Sequence, residues 1–179
     1  MNVKYDPKIH HRRSIRLQDY DYSQSGAYFV TICTQNRDCL FGDIVDEEIR
    51  LNRIGIMVKN ICEWLPQQYP YVTVEEFIVM PNHFHGIVFI TDDFVDGSRM
   101  EGGSRTAPTV KRKPVGRLVG AFKTVTTKRF NEMRCTTGVK LWQRNYYEHV
   151  IRNEDDYRDI AEYIQANPLN WMNDELWIN

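Results

Sequence analysis

The stretch VTVEEFIVMPNHFHGIVFIT, Val72–Thr91, decides the reading of this chain. Val72–Met80 and Phe84–Thr91 are short runs rich in β-branched and aromatic residues, the composition of strands. Pro81-Asn82 between them favours a turn. The pair therefore reads as an antiparallel hairpin, and the rest of the chain is arranged around it. Upstream, Leu51, Ile54, Val58, Ile61, Cys62 and Leu65 recur at helical spacing, and Pro66 is expected to end that helix. Further upstream Ala27–Thr34 (AYFVTICT) reads as a strand. Downstream, Val115, Leu118, Val119, Phe122 and Val125 form one stripe of a helix through roughly residues 115–131.

Tyr147–Ile151 reads as a fourth strand. A last helix starts at the N-cap Asn153, with Glu154, Asp155 and Asp156 where the helix dipole favours acids, and Pro168 stops it. The order β-α-β-β-α-β-α predicts an α+β fold: a ferredoxin-like split βαβ antiparallel sheet with an added C-terminal helix. At 179 residues the chain suits one domain, 1–179. Its polar basic arm covers 1–26, and the Gly-, Ser- and Pro-rich stretch 92–114 reads as a mobile loop.

Composition narrows the function classes. With 42% apolar and 12% aromatic residues the chain is a folded protein and not a disordered tail. The formal charge of −1 requires any nucleic-acid surface to be a local patch. Cys33, Cys39, Cys62 and Cys135 show no paired spacing, which suggests reduced thiols in a cytoplasmic setting. No apolar run approaches the roughly 20 residues that span a bilayer, so no membrane partner is expected.

Two features carry chemistry. On an extended chain residues i and i+2 share a face, so His83 and His85 present two imidazoles side by side, half of a divalent-cation site. Phe84 then points the opposite way, into packing. The bland alternative is one hydrogen-bonded histidine and one surface histidine. In the last helix Tyr157, Ile160, Ala161 and Ile164 form the core-facing stripe, and Tyr163 and Asn167, four apart, share the flank beside it. That pairing suits a phenol nucleophile next to an amide ligand. It also suits a packed tyrosine and a helix cap, and Pro168 biases Asn167 away from helical geometry.

Together these residues resemble the HUH endonucleases. His83-Phe84-His85 fits their His-hydrophobic-His signature, and Tyr163 with Asn167-Pro168 in EYIQANP fits the catalytic helix of their single-tyrosine transposases, the transposase IS200-like family. The stretches LWQRNYYEHVIRNEDDY, IVMPNHFHGIV and GAYFVTICTQNRDCLFG resemble the REP-associated tyrosine transposase branch. The resemblance runs from about residue 12 to residue 171; the 92–110 loop and the tail after Trp171 are its dispensable parts. It implies that His83, His85 and Asn167 hold Mg²⁺ or Mn²⁺ and that Tyr163 attacks a phosphate to leave a 5′-phosphotyrosine. It implies a hairpin with flanking single-stranded DNA as the partner. Related enzymes act as monomers or as dimers that share active sites, so a homodimer stays open. Two imidazoles and an amide make a weak Mg²⁺ site, so the ion is expected to bind loosely without DNA.

For DNA contact, the segment Lys111–Arg134 is strongly basic, with Arg117, Lys123, Lys128 and Arg129 opposed only by Glu132. Trp142, Arg144 and Tyr146 combine rings and a guanidinium suited to unpaired bases, and Arg12 and Arg13 lie on the N-terminal arm. A solvated helix face and ordinary core aromatics are the competing structural explanations. Two other functions compete: a domesticated, non-cleaving DNA- or RNA-binding protein, and a metal-dependent hydrolase that activates water and leaves Tyr163 a bystander.

Overall fold

The computed structural model describes residues 20–92, 112–174 and 176. The arm with Arg12 and Arg13, and most of the 92–114 stretch, lie outside the described residues. The strands are β1 Gly26–Cys33, β2 Gly42–Val45, β3 Glu48–Leu51, β4 Val72–Val79, β5 His83–Ile90 and β6 Tyr147–Ile151. The helices are α1 Arg53–Gln68, α2 Val115–Met133 and α3 Glu154–Ala166. The main sheet has the order β4-β5-β1-β6 with antiparallel neighbours. This is the expected α+β, ferredoxin-like arrangement with α3 added after the last strand.

Strand alternation divides the molecule into two layers. Tyr28, Val30 and Ile32 of β1 and Phe84, Val88 and Ile90 of β5 face the main core, with Val58, Cys62 and Leu65 of α1 and Leu118, Phe122 and Phe130 of α2. On the other face Phe29 and Ile87 meet Ile164, joined by Tyr157, Ile160 and Ala161 of α3. The stripe read from the sequence is therefore what seats α3 on the sheet. Burying a side chain such as Ile164 contributes about 1.5–3 kcal/mol, which holds the helix flank in place over β5 and β1.

Three local expectations need correction. Pro66 does not end α1, which continues through it to Gln68, with the Tyr69 N–H donating to the Leu65 carbonyl. Leu51 is the last residue of β3, and α1 begins after Asn52, whose side chain accepts from the Ile54 and Gly55 N–H groups. Asn167 keeps right-handed helical angles, φ −58° and ψ −40°, although Pro168 follows it. A second small sheet, β2–β3, escaped the sequence reading. Its turn uses Asp46 and Glu47 at φ +54° and +64°, left-handed positions where Asn-Gly is the usual signal.

Candidate active site

The site grows out of the register of β5 and β1. His83 pairs with Cys33 and His85 with Thr31 across the two strands, and Thr31 in turn opposes Tyr147 of β6. Alternation sends both histidines to the α3 side, where they are 0% and 1% exposed, with ring centroids 4.4 Å apart. The tautomer of His83 follows from its hydrogen bond. His83 Nδ1 lies 2.7 Å from Asn82 Oδ1, an atom that only accepts, so the proton sits on Nδ1 and Nε2 carries a lone pair. His85 Nδ1 lies 2.8 Å from Thr31 Oγ1 and its Nε2 3.3 Å from the Tyr163 hydroxyl, two partners that can each donate or accept.

Both Nε2 atoms point toward the flank of α3. There the Tyr163 ring stands 5.2 Å from the His85 ring and edge-on to Phe29 at 6.1 Å, while 45% of the residue stays exposed. Asn167, one helical turn on, is 2% exposed. Burial pushes His83 down to about 4, against the opposing pull of the Asp174 carboxylate and the Asn167 amide. Burial, then the neighbouring His83, hold His85 well below the ordinary histidine range. Both rings are therefore neutral near pH 7, the form that can ligate a metal.

One further residue reaches the same point. Asp174 follows a short 3₁₀ turn, Trp171–Asn173, that starts just after the Pro168 break. Its Oδ2 accepts from Asn167 Nδ2 at 3.1 Å and lies 4.0 Å from His83 Nε2. Ligand atoms of His83, His85 and Asp174 all fall within 4.8 Å of one another. The tail after Trp171 was expected to be dispensable, and nothing in its composition marks Asp174; only the folded chain brings it back. Trp171, 6.0 Å from the His83 ring, and the Asn82 Nδ2 bond to the Leu176 carbonyl anchor that return.

The donor set fits a divalent cation. His83 Nε2 and Asn167 Oδ1 are buried without a hydrogen-bond partner, a cost of about 1–3 kcal/mol each that a cation on those atoms would remove. Asp174 adds the charged oxygen that two imidazoles and an amide lack. The neighbouring cavity of about 650 Å³ is lined by Thr31, His85, Tyr147, Tyr163, Asn167 and Asp174 among others, and among the described residues no lysine or arginine lines it. Tyr147, 47% exposed and edge-on to Phe29, is a wall of this cavity.

The expected DNA-contacting residues are divided. Arg117, Lys128, Arg129 and Arg144 are exposed, with Arg129 and Lys128 beside Glu132. Lys123 is a structural clamp: Nζ donates to the carbonyls of Gln143, Arg144 and Asn145 at 2.6, 3.3 and 3.1 Å. Trp142 corrects the stacking expectation. It is 5% exposed, packs on Phe41 and Phe122, and donates Nε1–H to Thr126 Oγ1 at 2.7 Å, so no base reaches it. Tyr146 is half-buried, donates to Glu148 and sits under the Lys123 ammonium.

No family model matches the chain. An "Uncharacterized protein" of Haemophilus influenzae is 40% identical over 185 residues, covering all of both chains. A second protein of that organism, named "Putative REP-associated tyrosine transposase", is 25% identical over 150 residues, 83% of this chain and 73% of its own. The solved structure of a REP-associated tyrosine transposase bound to a REP hairpin matches with TM-score 0.54 at 20% identity, over 88% of this chain and 74% of that one. Among the described residues no helix is long and apolar enough to cross a membrane. The chain thus belongs to one family with the Haemophilus influenzae protein it matches end to end, and it carries the fold of the REP-associated tyrosine transposases its motifs resemble.

Proposed function

We propose that this protein is a metal-dependent single-strand DNA endonuclease and strand transferase of the transposase type, acting on hairpin-containing DNA through a 5′-phosphotyrosine on Tyr163. The observation that carries this reading is the position of the Tyr163 hydroxyl, 3.3 Å from His85 Nε2 and beside a set of buried, unsatisfied ligand atoms. A tyrosine used only for packing would not need to present its oxygen to a half-built cation site. The protein solved with a REP hairpin shares this fold, which supports hairpin DNA as the substrate class.

In this mechanism His83, His85, Asn167 and Asp174 would hold Mg²⁺ or Mn²⁺, which would supply charge neutralisation at the scissile phosphate. Thr31 and Asn82 fix the two rings through Nδ1, so that Nε2 faces inward. Phe29 stacks on His85 and stands edge-on to Tyr163, which limits the swing of the phenol. The Tyr163 oxygen forms the new bond to phosphorus as the bond to the 3′ oxygen breaks, and the phenol proton leaves to solvent in the open cavity. The 3′ oxygen takes up a proton and departs as a hydroxyl. Because one phosphodiester replaces another, a second 3′-hydroxyl reverses the step and reseals a strand without an external energy source.

The test is covalent capture. Labelled hairpin DNA with single-stranded flanks is incubated with the protein and Mn²⁺, then resolved on a denaturing protein gel. A labelled band that survives denaturation is expected, absent in Tyr163→Phe and His85→Ala. Cleavage without an adduct transfers the case to a water-activating hydrolase. Tight binding without cleavage transfers it to a non-cleaving DNA-binding protein.

A further inference from the structure

Tyr147 is the ring of the Tyr163 cavity that the chemistry leaves unused. Tyr147, His149 and Ile151 share the α3 face of β6, in register with Thr31, Phe29 and Ala27 of β1. Two of them are engaged by α3. His149 Nε2 lies 3.0 Å from the Asp156 carboxylate, and Ile151 packs with the apolar stripe that includes Tyr157 and Ile160. Tyr147 stays 47% exposed, and its hydroxyl has no hydrogen-bond partner among the described residues. Its strand is the last in the sheet, so no neighbouring strand covers the outer side of the ring.

Phe29 fixes where that ring stands. Tyr147 is edge-on to it with centroids 6.1 Å apart, Tyr163 is edge-on to the same ring at 6.1 Å, and His85 stacks on it at 5.4 Å. Thr31, 2.8 Å from His85 Nδ1, is also the residue directly opposite Tyr147. The sheet, and not a loop, therefore sets the place of Tyr147 relative to the nucleophile. The rest of the cavity decides what the ring can meet. Among the described residues its lining holds no lysine or arginine, so a strand is not held here by ion pairs to its phosphates. It offers rings, hydroxyls and amides such as Asn170 and Asn173, which are groups suited to a base.

We infer that Tyr147 is a stacking platform for one unpaired nucleobase of the strand that enters this cavity, and that it sets which nucleotide stops at Tyr163. The inference deepens the proposed function and rests on it for DNA as the partner. A phosphate brought to the Tyr163 hydroxyl carries a nucleotide on each side, and the base of one of them meets the Tyr147 ring. A base inside a duplex cannot do this, since both of its faces are already stacked. Stacking tolerates any base, because every base has a π-face. The platform therefore selects an unpaired nucleotide before it selects a sequence.

The experiment is a scan of abasic sites by fluorescence anisotropy in EDTA, so that binding is read without cleavage. The probes are labelled hairpins with unpaired flanks, each lacking one base at a successive position of a flank. With wild-type protein, removal of the stacked base is expected to weaken binding by about tenfold. In Tyr147→Leu, and in Tyr147→Thr, which suits an edge strand, the loss at that position should vanish while losses elsewhere remain. Tyr147→Phe keeps the ring and should show the loss again. A role in packing alone would shift every probe alike, and that result would overturn the inference. So would a scan unchanged in Tyr147→Leu and Tyr147→Thr. A loss that is absent from Tyr147→Phe as well would assign the contact to the hydroxyl and overturn the stacking. Wild-type protein that binds none of the probes would instead overturn the proposed function, so the two failures are distinct.

Discussion

The two faces of the main sheet handle phosphate charge in opposite ways. On the α3 face, the cavity beside Tyr163 has no lysine or arginine among the described residues of its lining; its polar groups are the His85 imidazole, amides, hydroxyls and the Asp174 carboxylate. On the α2 face the exposed cations Lys113, Arg117, Lys128, Lys140 and Arg144 line a long open groove, and among the described residues the one acid in its lining is Glu132. A cavity without cations is poor at attracting DNA and good at holding a small cation. A cationic groove attracts phosphates and has no group placed to break one. Under the proposed function the difference in charge assigns affinity and chemistry to separate surfaces, with the sheet as the wall between them.

The largest effect should come from breaking the chemistry face alone. His83→Ala removes one inward lone pair and leaves the helical face untouched. Adduct formation should fall at least about a thousandfold, as when a group that acts only as part of a unit is lost. Hairpin affinity in EDTA should stay within about threefold of wild type. A parallel loss of affinity would show that the two faces are one binding surface and would break the comparison.

Next in size is Asp174→Asn, which keeps the shape of the side chain and removes its charge. Mn²⁺ binding to the DNA-free protein, read by electron paramagnetic resonance, should weaken by about ten- to a hundredfold. Unchanged Mn²⁺ affinity would remove Asp174 from the ligand set and return the site to two imidazoles and an amide. The same variant tests whether oxygen charge on this face comes from the protein or only from the DNA.

How far the two faces could be read from residues alone differs for a physical reason. His83, His85, Tyr163 and Asn167 were legible because each pair lies within one element, where a period of two or of about four fixes which side chains meet. The split βαβ antiparallel arrangement followed because four short apolar runs and their helices leave few topologies. Asp174 was not legible, since its place depends on a chain reversal after Pro168 that no local period encodes. Trp142 was misjudged because an aromatic beside an arginine has the same composition whether it faces a base or the core. Its indole N–H finds Thr126 across the core, a long-range fact. The β2–β3 hairpin was hidden by a turn that uses Asp46-Glu47 in place of a glycine.

The smallest expected effect concerns stability and separates the faces by pH. His83 is pushed down to about 4 and His85 is also held low, so the folded protein binds fewer protons than the unfolded chain below the ordinary histidine value of 6.5. A lowered value of this kind contributes stability that is present above 6.5 and is lost as pH falls toward 4. Between pH 7 and 5 the loss from His83 alone is about 2 kcal/mol, or about 4–8 °C in melting temperature for a chain of this size. The carboxylates of Asp21, Asp92 and Asp156 are lowered below 3.8 and act at more acid pH, outside this window. On the other face, burial brings Lys123 down to about 8, so its titration belongs to the alkaline limb. Thermal melts in EDTA from pH 7 to 5 should therefore show a drop that His83→Gln/His85→Gln flattens, while the limb above pH 8 keeps its shape. A drop of equal size in the double variant would mean that the acid sensitivity lies outside the histidine pair, and that these two rings take up protons in the fold much as they do in the unfolded chain.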